Sequence, residues 1–242
     1  MYSMEPPSDM IPLYKVPLLI LTAASFRISC SPPNPPPEKK EIMDRGDLTG
    51  RATAQRTLLQ FVVLSVLLFE ALTIISYDIS NSPWREISKI LLPNGDPALL
   101  RPSSTFYVGV FLVVAGACIR YACYEYLGRL FTFELSLRDD HHLVTSGPYS
   151  IVRHPSYTGF CLGLVGLYAV VFGEGSYVRA GDILQTYLGT VVFCIMTFIW
   201  VNLSYYFIKR TEAEDEFLKD RFGKEWEEWE KRVKWKLIPG LY

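Results

Sequence analysis

Long uninterrupted apolar runs, rather than the alternation of a half-buried strand, dominate the pattern of this chain. Lipid offers no water to backbone N–H and C=O groups, so a segment that crosses it must be a helix of about 20 mostly apolar residues. Three runs meet that requirement: Thr57–Ile79, Ser104–Cys123 and Leu184–Ile208. A fourth, Tyr157–Phe172, is shorter, but the brief loop GEGSYVRAG joins it to the last run, and the two read as a helical hairpin. The fifth, Ile11–Ser29, carries Lys15, Pro17 and Arg27, and its apolar core is as short as that of a signal peptide. The SPPNPPPEKK that follows is no cleavage signature, so this run too is read as a membrane helix. The expected fold is all-α, a polytopic bundle of about five transmembrane helices. Residues 1–125 hold the N-terminal helices and a Pro-rich, extended or disordered connector; residues 126–242 form the second unit, with no internal repeat.

Charge gives this bundle a direction. Lysine and arginine accumulate on the cytosolic side, so five spans can be tested by sorting them between alternate loops. Six (Arg27, Lys39, Lys40, Arg45, Arg51, Arg56) precede the second run, four (Arg120, Arg129, Arg138, Arg153) lie at or beyond the end of the third, and nine follow Ile208. Only five (Lys15, Arg85, Lys89, Arg101, Arg179) fall on the other face. The N-terminus is therefore expected in the lumen, with the 128–156 loop and the C-terminal tail together in the cytosol. The net charge of -1 leaves no basic face for nucleic acid. Five cysteines sit in or beside apolar runs without C-x-x-C spacing, and His141, His142 and His154, though close together, do not follow the spacing of a zinc site, so no metal site is expected. Glu70 lies in mid-span, where an acid is costly; it fits either a neutralised or paired group inside the bundle or a functional acid.

The two cytosolic segments carry the candidate chemistry. The loop ends in DDHHLVTSGPYSIVRHPSYTG and runs straight into a membrane helix. Pro155 can open that helix, because its missing N–H falls where the helix needs none. Arg153 and His154 are then held at a helix N-terminus, whose free N–H groups and partial positive charge suit an anion. Anchoring to headgroups, with Tyr157 in an aromatic belt, fits the same pattern. Beyond the last run, Phe217, Leu218, Phe222, Trp226 and Trp229 recur at helical spacing, as in an amphipathic helix lying on the membrane. The cluster Arg210, Glu212, Glu214 and Asp215 at the membrane exit is not explained by such a stripe; binding one cation and one anion would explain it.

The run LVTSGPYSIVRHPSYTG, then a hairpin, then RTEAEDEFLKDRFGKEWEEWEKRV, resembles the isoprenylcysteine carboxyl methyltransferases of the endoplasmic reticulum. The likeness covers the C-terminal half in register; the N-terminal half shares only a pattern of spans. Glu134 stands where relatives often have Gln, Asp215 replaces a second Glu, and Trp226 and Trp229 replace tyrosines. The resemblance implies S-adenosylmethionine as cofactor in a cytosolic pocket capped by the C-terminal amphipathic helix. Its contacts would be Glu134, His141, His142, Leu143, Val144, Tyr149, His154, Pro155, Ser156, Tyr157 and Glu214. Arg210 would face the substrate carboxylate, with Arg153 as the second catalytic residue. It further implies an endoplasmic reticulum membrane location and, as partners besides the bilayer, prenylated C-terminal cysteines of small GTPases or similar CaaX proteins. Such a carboxylate, ordinarily ionised above a pKa of about 3.5, needs alignment rather than a base. Phospholipid N-methylation, and a catalytically silent membrane scaffold, are the alternatives.

Overall fold

The computed structural model describes residues 13–37, 48–78, 84–93, 95–133 and 142–242. Eight helices are formed among them: α1 (Lys15–Cys30), α2 (Leu48–Asp78), α3 (Trp84–Leu91), α4 (Ser104–Leu127), α5 (Pro155–Phe172), α6 (Tyr177–Ala180), α7 (Tyr187–Phe222) and α8 (Lys224–Arg232). Four helical stretches are long and apolar enough to cross a membrane: Thr53–Asp78, Ser104–Leu130, Pro155–Ala180 and Tyr187–Phe222. They correspond to four of the five runs expected from hydropathy. The fifth forms α1, which at 16 residues and about 24 Å is too short to count with them. It nevertheless packs into the bundle against α2 and α4. Large apolar side chains such as Phe61, Phe111 and Phe198 stand 64–71 % exposed around the outside, as expected of faces turned to lipid.

Two departures from the sequence expectation matter for the site. The C-terminal helix is not a separate amphipathic rod: α7 continues the last span without a break for 36 residues, about 54 Å, so nearly half its length projects beyond a hydrocarbon layer of about 30 Å. The break comes only at Gly223, whose φ of 52° is in the glycine-favouring region, and α8 then turns back over the loop. Trp226 and Trp229 are buried there with Cys123, Tyr124, Phe131 and Tyr149 in a small second core, rather than laid on the membrane. The Pro-rich connector is likewise docked as far as it is described: Asn34 Nδ2 donates to Gly128 O at 2.7 Å and Phe131 O at 3.0 Å.

The closest helix pair is α4 and α5. A Cβ at Gly116 would sit 2.3 Å from Gly159 O, and one at Gly166 would sit 2.6 Å from Gly109 O. These reciprocal glycines let the two backbones touch, as small residues do between membrane helices. On the face away from the second core, α1, α2 and the α5–α7 turn are tied by a buried ion pair. Lys15 Nζ lies 2.5 Å from Glu70 Oε1 and also donates to Leu100 O and Gly175 O, while Glu70 Oε2 accepts from Tyr177 N. Glu70 is thus a paired interior group.

Candidate functional site

The segment before α5 is shaped by its turn residues. Ser146 to Ser150 make a single 3-10 turn opened by Gly147 at φ 59° and Pro148, and Pro155 occupies the first turn of α5 after His154. Trp229 Nε1 donates to Tyr149 O at 3.1 Å, pinning this turn to α8. The chain after α8 completes the fixture: Arg153 N donates to Trp235 O at 2.9 Å and His154 N to Lys236 O at 2.8 Å.

Asp215, on the projecting part of α7, gathers the charges. Arg153 Nη2 donates to Asp215 Oδ2 at 3.1 Å, His154 Nε2 lies 2.9 Å from Oδ1, and Lys236 Nζ lies 3.5 Å from Oδ2. Arg153 Nη1 is occupied by Val233 O and Lys234 O. One residue earlier, Glu214 Oε2 accepts from the Tyr157 hydroxyl at 2.7 Å and lies 3.6 Å from His154 Nδ1. Burial disfavours a charged His154, but its hydrogen bonds to Asp215 and Glu214 outweigh that and hold its pKa above the usual imidazole value. The His154 ring bridges two acids that are neighbours in α7.

Beside this network lies a cavity that opens to solvent at its mouth. Of the residues expected from sequence, His142, Leu143, Val144, Tyr149, Arg153, His154, Ser156, Tyr157, Arg210 and Glu214 line it. Pro155 is buried at the start of α5 and does not line the cavity, while Glu134 and His141 lie outside the described residues. Arg210 donates through Nη1 to the Tyr206 hydroxyl at 3.1 Å, and its buried Nε has no hydrogen-bond partner among the described residues.

Sequence reasoning passed over Arg120. It is 2 % exposed in α4, lines the cavity, and donates to Tyr124 OH and to both Ser156 O and Oγ at 2.9–3.1 Å. The rings of Tyr124, Phe131, Phe133 and Phe160 surround its guanidinium at 5.3–5.8 Å, and no carboxylate among the described residues lies within 4.0 Å of it. Its sequence signal was the one noticed for Glu70: a charge inside an apolar run. A pocket that presents Arg120 and Arg210 beside Glu214 and several aromatic rings can hold an anion against a cation.

Comparison with known proteins bears on that arrangement. Residues 108–178 match the isoprenylcysteine carboxyl methyltransferase family. A probable protein-S-isoprenylcysteine O-methyltransferase of Oryza sativa subsp. indica is 33 % identical over 129 residues, 52 % of this chain and 58 % of the relative. The protein-S-isoprenylcysteine O-methyltransferase of Dictyostelium discoideum is 31 % identical over 145 residues, 59 % of this chain and 53 % of its own length. A delta(14)-sterol reductase of Gibberella zeae is 25 % identical over 118 residues, only 24 % of that protein. The chain thus spans about half the length of the curated methyltransferases it matches.

Proposed function

From the match of residues 108–178 to the isoprenylcysteine carboxyl methyltransferase family, we propose that this chain is a member of it and methylates the C-terminal carboxylate of prenylated cysteine in processed CaaX proteins. The observation that carries the proposal is the pairing, in one cavity, of Arg210, whose Nε has no partner among the described residues, and Arg120, which has no carboxylate beside it among them, with the acidic Glu214. An arginine pair suits a carboxylate; it is ill suited to the amine of a phospholipid, which must lose a proton before it can attack.

The residues present fit S-adenosylmethionine, which when bound supplies an electrophilic methyl group. Glu214 offers a carboxylate to its cationic groups, the Phe131, Phe133 and Phe207 rings offer faces to a sulfonium, and the 142–144 backbone provides an edge. Arg210 and Arg120 hold the substrate carboxylate and orient one oxygen. The bound cofactor would supply the methyl group to that oxygen, and because the carboxylate is already ionised these residues would have no proton to move. The protein's contribution is alignment in a site shielded by Trp229 and Phe217, worth several kcal/mol of barrier. Arg153, its guanidinium engaged by Asp215 and the C-terminal carbonyls, acts as a positioning residue for the turn.

An apolar groove between α5 and α7, walled by Leu164, Tyr168, Trp200 and Val201, offers the prenyl chain a bed in the bilayer. It ends at Ile208, two residues before Arg210. The basic residues concentrated on the pocket side support a cytosolic pocket, and the family resemblance supports an endoplasmic reticulum membrane. Residues 126–242 would be the catalytic core, with Asn34 and Arg120 reaching in from the N-terminal unit.

Membranes containing the protein, given labelled S-adenosylmethionine with either a farnesylcysteine analogue or phosphatidylethanolamine, test the reading. Base-labile label on the prenylcysteine is expected; stable label in lipid, or no transfer at all, overturns it. Arg210→Ala should depress turnover of the carboxylate substrate more than cofactor affinity, whereas Glu214→Ala should mainly weaken cofactor binding. Equal and small effects of the two would contradict these roles.

A further inference from the structure

Residues 235–242 contribute nothing to the proposed chemistry directly, yet besides the Lys236–Asp215 contact three of their backbone carbonyls are fixed to the site. Trp235 O and Lys236 O accept from Arg153 N and His154 N, and Leu237 O accepts from Thr158 Oγ1 at 2.7 Å. The chain then turns at Gly240, φ 81°, and closes on itself, with Leu237 N and Ile238 N donating to Tyr242 O at 2.8 and 2.9 Å.

The depth of this hook follows from α5. That helix has 18 residues, about 27 Å, which is no more than the thickness of the hydrocarbon layer, about 30 Å. Its first turn must therefore lie at the lipid boundary, and Thr158 is in that turn. A carbonyl bonded to Thr158 lies at the same depth, so Leu237 and its neighbours are at the boundary as well. What they show there is apolar: Trp235 is 39 % exposed, Ile238 48 %, Leu241 75 % and Tyr242 39 %. Ile151, two residues before the Arg153–Trp235 bond, is 61 % exposed. Directly before the hook, Lys231, Arg232 and Lys234 are all exposed. Apolar and aromatic tips beside a short basic run are the chemistry of an interfacial anchor on an anionic leaflet.

We propose that residues 235–242 form an interfacial hook that inserts Trp235, Ile238, Leu241 and Tyr242 into the lipid leaflet on the pocket side, and so fixes the Arg153–His154 turn against the membrane. The occupant of this surface is the bilayer. Lys231, Arg232 and Lys234 meet its anionic headgroups, and the backbone bonds from Arg153 and His154 transmit the anchorage to the site. The inference rests on geometry alone and stands whether or not the reaction proposed above is correct.

Two measurements on the full chain in vesicles of phosphatidylcholine and phosphatidylserine test it. The fluorescence of Trp235 is obtained as the difference between the parent protein and Trp235→Phe, then challenged with lipids brominated near the top of their acyl chains and with acrylamide in the water. Quenching by the brominated lipids with protection from acrylamide is expected; quenching by acrylamide with no response to bromine overturns the hook. The second measurement compares amide hydrogen exchange at residues 153–154 in the parent and in Leu241→Asp, where the charge should expel the hook and make exchange severalfold faster. Unchanged exchange overturns the link between anchorage and the turn. Should Leu241→Asp fail to fold, Leu241→Ser gives the same comparison with a milder polar change.

Discussion

Asp215 accepts from or faces three cationic side chains, Arg153, His154 and Lys236, that come from two separate segments. Asp215→Asn would leave Arg153, 5 % exposed, without its only close carboxylate among the described residues; Glu230, at 3.8 Å, is more remote and more open to solvent. Removing one partner of a buried pair costs roughly 3–5 kcal/mol, so a clear drop in the thermal midpoint of the purified protein is expected, and an unchanged melt would contradict the hub. His154 adds a pH dependence whose sign is fixed. Its pKa is raised on folding, so its contribution is complete below the unfolded value of about 6.5 and is lost as pH rises through the higher folded value. The melting temperature should therefore fall more steeply above neutral pH in the parent than in His154→Gln. Parallel curves would show that His154 is not charged in the folded site. In the sequence these residues were visible as a cluster, but their roles were not. Asp215 looked like a minor replacement for Glu, and Arg153 like a group available to substrate, because nothing local reveals which partner a side chain will find 62 residues away.

Glycine spacing decides how the helices meet. Gly109 and Gly116 on α4 face Gly166 and Gly159 on α5, and a Cβ at Gly116 would overlap a carbonyl oxygen that cannot step aside. Gly116→Ala should cost about 1–3 kcal/mol by forcing α4 and α5 apart. Gly163→Ala on the same helix pair meets nothing within 4 Å and should be neutral or gain up to about 1 kcal/mol from helix propensity. Denaturant or thermal unfolding of the two variants measures the contrast; equal losses would mean the close approach is not what holds the pair. Hydropathy located both helices but not this contact, since glycine is simply apolar to a hydropathy count. The same blindness hid the continuity of α7. The change from apolar to charged at Ile208 reads as a helix ending, whereas residues such as Lys209, Glu212 and Glu216 favour a helix as much as the span before them.

The Lys15–Glu70 pair holds the whole bundle together on the face away from the second core, joining α1 to α2 and, through Leu100, Gly175 and Tyr177, to the loops beside α4 and α6. Both side chains are fully buried, so Lys15→Met alone strands an acid and should destabilise the protein by roughly 3–5 kcal/mol. The double change Lys15→Met with Glu70→Leu should recover much of that loss, because two apolar groups need no partner. If the double variant melts no higher than Lys15→Met, the pair is not acting as a unit. By itself the sequence determined that the chain is a helical membrane protein, where its four long spans lie and how its basic residues divide between alternate loops. These follow from composition read over a turn or a span, where lipid and backbone impose their demands locally, whereas the expectation of a methyltransferase came from the resemblance of two motif segments to a known family. Only the tertiary structure decided that Lys15 meets Glu70, that Arg120 enters the cavity, that Asp215 is the hub, and that the tail returns to bind Arg153 and His154. Those outcomes depend on which buried charge or free backbone group finds its complement across the fold, an energy that residues far apart in sequence share and no single segment contains.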